Sequence, residues 1–298
     1  MDAKIYQNKK YIIFFLIPAF LFMFMYLYVP FVTNIMNSFQ NIKYLASPSG
    51  VWQEPVYANY TKMLHDPKIV IALKNTGIMI LVTIIGEVGI AIILALLVSS
   101  LKRAAGFYRV TFFFPIVVSA TALALLFNLI FLYDKGMVNQ FLQFVGYLDK
   151  SSNQLIDWKT AHPMFTMMLP VVWQYVGFYF VILLTAISGI SEEFYEAAAL
   201  DGASKFQQAI YITLPLIRNS VATCVVLAVT GALKVFDLPW TMFVNGMSNT
   251  WLTGTYMYSK VQTDVDYASA IAVGIVVLGV ILSIVANKVF ASKSDYDE

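Results

Sequence analysis

Six stretches of the chain, 11–31, 77–101, 110–132, 163–187, 221–243 and 268–290, are each long and apolar enough to cross a bilayer, which takes about 20 mostly apolar residues. Inside lipid every backbone N–H and C=O must find its partner within the segment, so runs of this kind are restricted to helices. Only 12% of the 298 residues are charged and 59% are hydrophobic, against roughly 25% and 45–50% in soluble chains. A soluble globule lacks the polar surface to be built from this composition, and a disordered chain is excluded by the same numbers. The predicted fold class is therefore all-α: a polytopic membrane protein of six transmembrane helices forming a single domain, 1–298.

The first run follows Lys4, Lys9 and Lys10 as a signal peptide would. It is long for such a peptide and no small-x-small site follows it closely, so it reads as an uncleaved helix. An even number of spans puts both termini on one side. With the N-terminus inside, the inner segments hold Lys4, Lys9, Lys10, Lys102, Arg103, Arg109, Lys205, Arg218, Lys288 and Lys293. The outer loops hold Lys43, Lys62, Lys68, Lys74, Lys135, Lys150, Lys159 and Lys260. Ten cations in about 60 inner residues against eight in about 100 outer ones favours cytoplasmic termini. The outer loops 33–76 and 133–162 are short for separate domains, and 47–55, with Pro48, Gly50 and Pro55, reads as loop. Asn59-Tyr60-Thr61 matches a glycosylation acceptor, a three-residue pattern too common to weigh.

Bulk chemistry adds exclusions. A net charge of +2 gives no reason to expect nucleic acid. The single cysteine, Cys224, permits no intrachain disulfide and no thiolate metal cluster, and His65 and His162 are far apart in sequence. No metal site and no bound cofactor are expected.

Between the fourth and fifth runs lies a segment, 189–217, neither apolar enough to span nor polar enough to float. Ser191 can cap a helix whose first turn holds Glu192 and Glu193, favourable beside the positive end of the dipole. Ala197, Ala198, Ala199 and Leu200 propagate it, and Gly202 supplies a stop. Ser204 and Gln207 fit a capping box that starts a second helix, and Pro215 marks the next boundary. Two short helices joined at Asp201-Gly202 are predicted against the inner membrane face. The alanines leave a low-relief face that a partner's cleft can approach. The alternative, an amphipathic helix resting on lipid, usually carries Lys and Arg, whereas Glu192, Glu193, Glu196 and Asp201 would be repelled by anionic lipid.

The spacing Glu196-Ala197-Ala198, three residues, Gly202, nine residues, then Ile212-x-Leu214-Pro215 resembles the EAA loop of binding-protein-dependent ABC importer permeases. The surrounding Tyr195-Glu196-Ala-Ala-x-x-Asp201-Gly202-Ala203-Ser204 is similar to the sugar branch, the relatives of maltose, glycerol-phosphate and multiple-sugar permeases. Supporting matches are Asn59-Tyr60, Tyr108-Arg109 with Phe114-Pro115, Trp173, Phe236-Asp237 and Asp266-Tyr267-Ala268. The resemblance implies a bacterial cytoplasmic-membrane permease subunit paired with a second permease, usually as a heterodimer. It also implies an extracytoplasmic sugar-binding protein and two ATP-binding subunits, with ATP and Mg held in those subunits. Glu196 would be the polar anchor and Gly202 the shaping turn, with Ala197, Ala198, Asp201, Ala203, Leu214 and Pro215 completing the ATPase-coupling set. The chain carries no Walker A pattern, so it is expected to be no enzyme and to depend on ATPases in trans.

Polar groups within the spans are candidates for the substrate pathway. Glu87 falls near the middle of the second run, and Lys234 and Asp237 fall three apart in the fifth, where one helical face would let them pair. They either face a watery cavity and bond sugar hydroxyls, or neutralise each other while Glu87 bonds a neighbouring helix. In the fourth run Trp173, Gln174, Tyr175, Phe178 and Tyr179 form a polar-aromatic cluster suited to a sugar's apolar faces and hydroxyl edges, or to interhelical packing. Asn128 joins the candidates. Trp158, Trp240 and Trp251 read as interface anchors, and Met164–Met168 as packing. A polytopic enzyme is the rival of another class, but neither a His-Glu-x-x-His nor a Gly-x-Ser-x-Gly pattern occurs. A secondary transporter would be expected to show repeats and broken helices, and none is evident in the sequence. A same-class permease for another solute is the nearer rival, and Lys234 leaves acidic sugars open.

Overall fold

The computed structural model describes residues 9–44, 51–101, 104–148, 155–243 and 248–290. Lys4, Lys102, Arg103, Lys150, Lys293 and the 47–50 part of the expected loop lie outside the described residues. Within them the chain is helical, with one isolated antiparallel bridge between Gln40 and Trp52. Five helices are long and apolar enough to span: Ile12–Asn37, Pro67–Ser99, Pro163–Ser188, Arg218–Met242 and Val265–Val289. A bent pair, Ala105–Val117 and Ala120–Ile130, meets at 93° and makes up to six spans if the pair counts as one.

That bend corrects the expectation of a straight third span over 110–132. Val118 and Ser119 are extended, and the Ser119 hydroxyl accepts from the Ala122 N–H, so a helix N-cap is built in the middle of the apolar run. The expectation of unbroken spans fails with it. The fifth span is also interrupted, with Lys234 ending one helix and Asp237 opening the next after Val235–Phe236.

The described chain forms two compact units, residues 1–66 with 257–276 and residues 67–256 with 277–298. In the first, every side chain from Ile12 to Thr33 is exposed. Polar ties hold the segment after it. Asn59 donates to the Ser38 carbonyl at 3.1 Å, Gln53 to Asp266 at 2.6 Å and the Tyr267 hydroxyl to Asp66 at 2.7 Å, while Lys62 pairs with Asp264. Asn59 is buried in this network and unavailable as a glycan acceptor.

The second unit contains two apolar clusters. Val88, Ala91, Ala95 and Val98, spaced three or four apart, line one face of Pro67–Ser99. They meet Phe180, Leu183, Leu184 and Ile187 together with Val225, Ala228 and Val229. Lipid tails are as apolar as leucine, so association rests on van der Waals fit, and small residues such as these alanines permit it. The other cluster joins Leu123, Phe127 and Phe131 to Met167, Met168, Val171, Leu238 and Met242. The methionines therefore pack, as expected. At Gly177 the fourth span lies directly on the backbone of the third: a Cβ there would fall 1.7 Å from the Phe112 carbonyl oxygen.

Side chains tie the described residues between Ile130 and Pro163, 131–148 and 155–162, to one another and to Met242. Asn139 donates to the Tyr133 and Ile156 carbonyls and accepts from the Trp158 indole. Lys159 donates to the Met242 carbonyl at 3.1 Å. Burial pushes this ammonium below the usual lysine range, and Asp157 opposes the shift. Two of the tryptophans read as interface anchors make ring contacts. Trp251 is buried edge-on to Tyr256, and Trp240 stacks on Phe236.

Candidate functional site

Two places collect the candidate residues. The first is the segment between the fourth and fifth spans. Ser191 caps Glu192–Leu200, its hydroxyl accepting from the Glu193 N–H, and Gly202 turns the chain at φ +80°, a backbone angle that residues with a side chain rarely adopt. Ser204 and Gln207 form both bonds of the expected capping box. Tyr195 and Thr213 share a hydrogen bond of 3.0 Å between their hydroxyls, and Gln208 donates to the Tyr195 carbonyl, so the second helix lies along the first. Tyr195 and Ala198 are half-buried and the rest of this helix is exposed, Leu200 at 90%. Asp201 is exposed and Ala203 half-buried at the turn.

Pro215 does not end the second helix. Leu214 is helical at φ −60°, ψ −44°, and helix continues through Leu216 before breaking at Ile217. The wider π turn Ala209–Thr213, in which the Leu214 N–H reaches the Ala209 carbonyl, opens the turn ahead of the proline ring.

The second place is a cavity of about 280 Å³ lined by Thr83, Glu87, Gln174, Tyr175, Tyr179, Gly231, Lys234 and Asp237, with apolar Ala120, Val171, Ala228, Ala232, Val235, Phe236 and Leu238 completing the wall. The broken helices create it. Ala120 opens the helix after one break, Val235 and Phe236 are the other, and Gln174 donates to the Val118 carbonyl at 3.3 Å. Glu87 reaches the cavity from a π segment, Thr83–Gly89, and Oε1 of its carboxyl is buried without a hydrogen-bond partner. An extra residue in a helical turn of this kind re-aims side chains, and π segments recur at functional sites.

Five predicted pathway residues thus meet: Glu87, Gln174, Tyr175, Lys234 and Asp237. Three do not line the cavity. Trp173 is half exposed and edge-on to Phe127 at 5.8 Å, Phe178 packs against the Phe180 cluster, and Asn128 has a buried side-chain oxygen without a partner. The expected Lys234–Asp237 pairing is corrected. The break separates them, so spacing by three no longer means one face, and no ion pair joins them. Thr83, one turn before Glu87, was open to discovery from its spacing. Gly231, whose missing side chain leaves room in the wall, carried no such signal.

Residues 87–295 match the family described as binding-protein-dependent transport system inner membrane component. The chain belongs to this family. It is a multi-pass membrane permease component, which sets aside the polytopic enzyme and the secondary transporter. The permease is 32% identical over 290 residues to the probable ABC transporter permease protein YurN of Bacillus subtilis (strain 168), covering 95% of this chain and 97% of the relative. It is 34% identical over 237 residues to the diacetylchitobiose uptake system permease protein NgcF of Streptomyces coelicolor, covering 76% and 67%. Its fold matches a bacterial ABC transporter involved in the import of the acidic polysaccharide alginate, at TM-score 0.80 and 20% identity, over 97% of this chain and 99% of that one.

Proposed function

We propose that the permease is one subunit of an ATP-driven importer that carries a carbohydrate through the cavity between its broken spans. The observation that carries this reading is the cavity itself. It combines aromatic faces from Tyr175 and Tyr179 with acceptors and donors from Glu87, Gln174, Lys234 and Asp237, the mixture that a sugar's apolar ring faces and hydroxyl edges require. The uptake of diacetylchitobiose by a relative supports the substrate class. Residues 1–298 act as one permease domain in a bacterial cytoplasmic membrane, with both termini and the 189–217 loop inside, as the density of cations favours. An extracytoplasmic binding protein delivers the sugar, and a second permease subunit completes the path.

Two ATP-binding subunits receive the Glu192–Leu200 helix. They hold ATP and Mg, and this chain binds no cofactor. Within the loop, Glu196 and Ala197 would lie on the docking face, half-buried Ala198 would pack on the loop's own side, and Asp201, Gly202 and Ala203 shape the turn. Leu214 and Pro215 carry the second helix toward the fifth span. Transport follows only if these contacts differ between the inward- and outward-open states.

Gly231 supplies the test. A Cβ at this position meets nothing within 4 Å, so Gly231→Leu enters the cavity without a backbone clash and exchanges glycine for a better helix former. Sugar uptake by cells expressing this variant should fall by about tenfold or more, with membrane levels unchanged. Uptake at the wild-type rate would remove the cavity from the path.

A further inference from the structure

The helix Glu192–Leu200 is joined to its neighbours by non-helical chain at both ends, residues 189–191 and 201–204. So short a helix on two short links has no fixed direction of its own. A ring of hydrogen bonds supplies one. The amide of buried Gln208 donates to the Tyr195 and Ala203 carbonyls, each at 3.4 Å. The hydroxyl of buried Thr213 donates to the Gln208 carbonyl at 3.3 Å and lies 3.0 Å from the Tyr195 hydroxyl. A hydroxyl has one proton, and Thr213 gives its own to a carbonyl that has none, so Tyr195 is the donor in the bond between the two hydroxyls. Tyr195 is thus held by both its carbonyl and its hydroxyl.

Thr213 stands at the start of the route to the cavity. Its carbonyl accepts from the Ile217 N–H at 3.0 Å, and the Ile217 carbonyl accepts from the Val221 N–H at 3.0 Å. Backbone bonds therefore bridge the break between Leu214–Leu216 and Arg218–Lys234. Ile217 itself is buried in the cluster of Phe180 and Val225. Arg218–Lys234 then carries Gly231 and Lys234 to the cavity wall. Valine at 213 and phenylalanine at 195 would keep much the same shape without burying hydroxyls, which cost stability unless they are paired. What the two hydroxyls add is direction, since a satisfied buried polar network fixes an orientation that apolar contact leaves free.

We propose that Tyr195 and Thr213 are positioning residues for coupling. Their hydroxyl bond makes the Glu192–Leu200 helix and the root of the fifth span move together, so that what an ATP-binding subunit does to that helix reaches the cavity wall at Gly231. This rests on the reading of the helix as the ATPase dock. Neither residue lines the cavity, and each acts through the elements that it joins.

The test follows the cavity wall while the ATPase binds nucleotide. Gly231→Cys places a thiol where a Cβ meets open space, and the native Cys224 is buried. Modification at position 231 by a membrane-impermeant methanethiosulfonate is timed by mass spectrometry in the complete complex of permeases and ATPases in nanodiscs. Rates are compared with and without a non-hydrolysable ATP analogue and Mg. In this parent complex the analogue should change the rate by about fivefold or more. Tyr195→Phe and Thr213→Val should each bring that change below about twofold, and the double variant should go no further than either, because one bond is removed once. Thr213→Ser retains the hydroxyl and should respond as the parent does. A loss confined to the nucleotide response, in complexes that keep their ATPase and their nucleotide-free rate, separates coupling from a loosened loop. A response that survives both single substitutions overturns the proposal, as does a Thr213→Ser complex no more responsive than Thr213→Val. So do variants that shed the ATPase or alter the nucleotide-free rate. A parent complex that holds no ATPase would mean that the docking reading is wrong, and the proposal falls with it. A parent that holds its ATPase yet shows no response leaves the dock standing and removes the proposal alone.

Discussion

Gly177→Ala will remove most of the folded permease from the membrane, although it adds a single methyl group. The added Cβ would lie 1.7 Å from the Phe112 carbonyl oxygen and 2.4 Å from its carbon, both backbone atoms of a neighbouring helix. No rotamer change relieves a clash with backbone, so Ala105–Val117 and Pro163–Ser188 must move apart. Their separation loosens the edge-to-face contact of Phe112 with Phe180, whose ring centroids are 5.2 Å apart, and with it the cluster that Phe180 anchors. A loss of about 4 kcal/mol or more is expected, a large share of the roughly 5–15 kcal/mol that keeps most single domains folded. Size-exclusion profiles of detergent-solubilised protein should show an aggregated or missing peak for Gly177→Ala. Gly231→Ala, where a Cβ meets open space, should run as wild type. A monodisperse Gly177→Ala peak with wild-type melting would mean that the third and fourth spans do not touch as described.

The second large effect concerns the two alanines of the 189–217 loop, which the sequence treats as a pair and the fold separates. Ala197 lies on the exposed stripe with Glu193, Glu196 and Leu200. Ala198 is half-buried, one turn after Tyr195, whose hydroxyl bonds to Thr213. Ala197→Leu should therefore leave the loop folded and abolish ATP-driven uptake, because the larger side chain holds a partner's cleft away. Ala198→Leu should lower stability first, by about 1–3 kcal/mol, as it wedges the helices apart. Gly202→Val also acts through the fold, since a β-branched residue is an outlier at φ +80°. Melting temperature and uptake, measured on the same preparations, distinguish these outcomes. Equal loss of stability in both alanine variants would contradict the assignment of their faces.

Much of this was legible because spacing carries it. Apolar runs of span length give the five long helices and the bent pair, and Ser191, Gly202, Ser204 and Gln207 give the two helices of the loop, each residue acting on its own backbone or a near neighbour's. The breaks were hidden because Val118–Ser119 and Val235–Phe236 contain no glycine or proline, while Pro170 lies inside a continuous helix. Tertiary contact overrides local preference there, and the Gln174 bond to the Val118 carbonyl is part of that contact. The cavity follows from the breaks, so its membership was only half visible. Glu87, Lys234 and Asp237 stood out as ionisable groups in apolar runs. Their grouping depended on a π segment around Glu87 and an interrupted helix after Lys234, neither of which has a compositional mark. Spacing misled in one case. Lys234 and Asp237 are three apart, but that distance implies a shared face only within an unbroken helix.

The central claim is that this permease works within an ATP-driven sugar importer and meets its ATPase through the Glu192–Leu200 helix. Purification of the chain from its native membrane in mild detergent, with mass spectrometry of whatever accompanies it, tests that claim most directly. Wild type should carry a second permease and an ATP-binding subunit, and Glu196→Ala should retain the permease while losing most of the ATPase. A chain that purifies alone, or one that keeps its full share of ATPase in the Glu196→Ala form, would contradict the account.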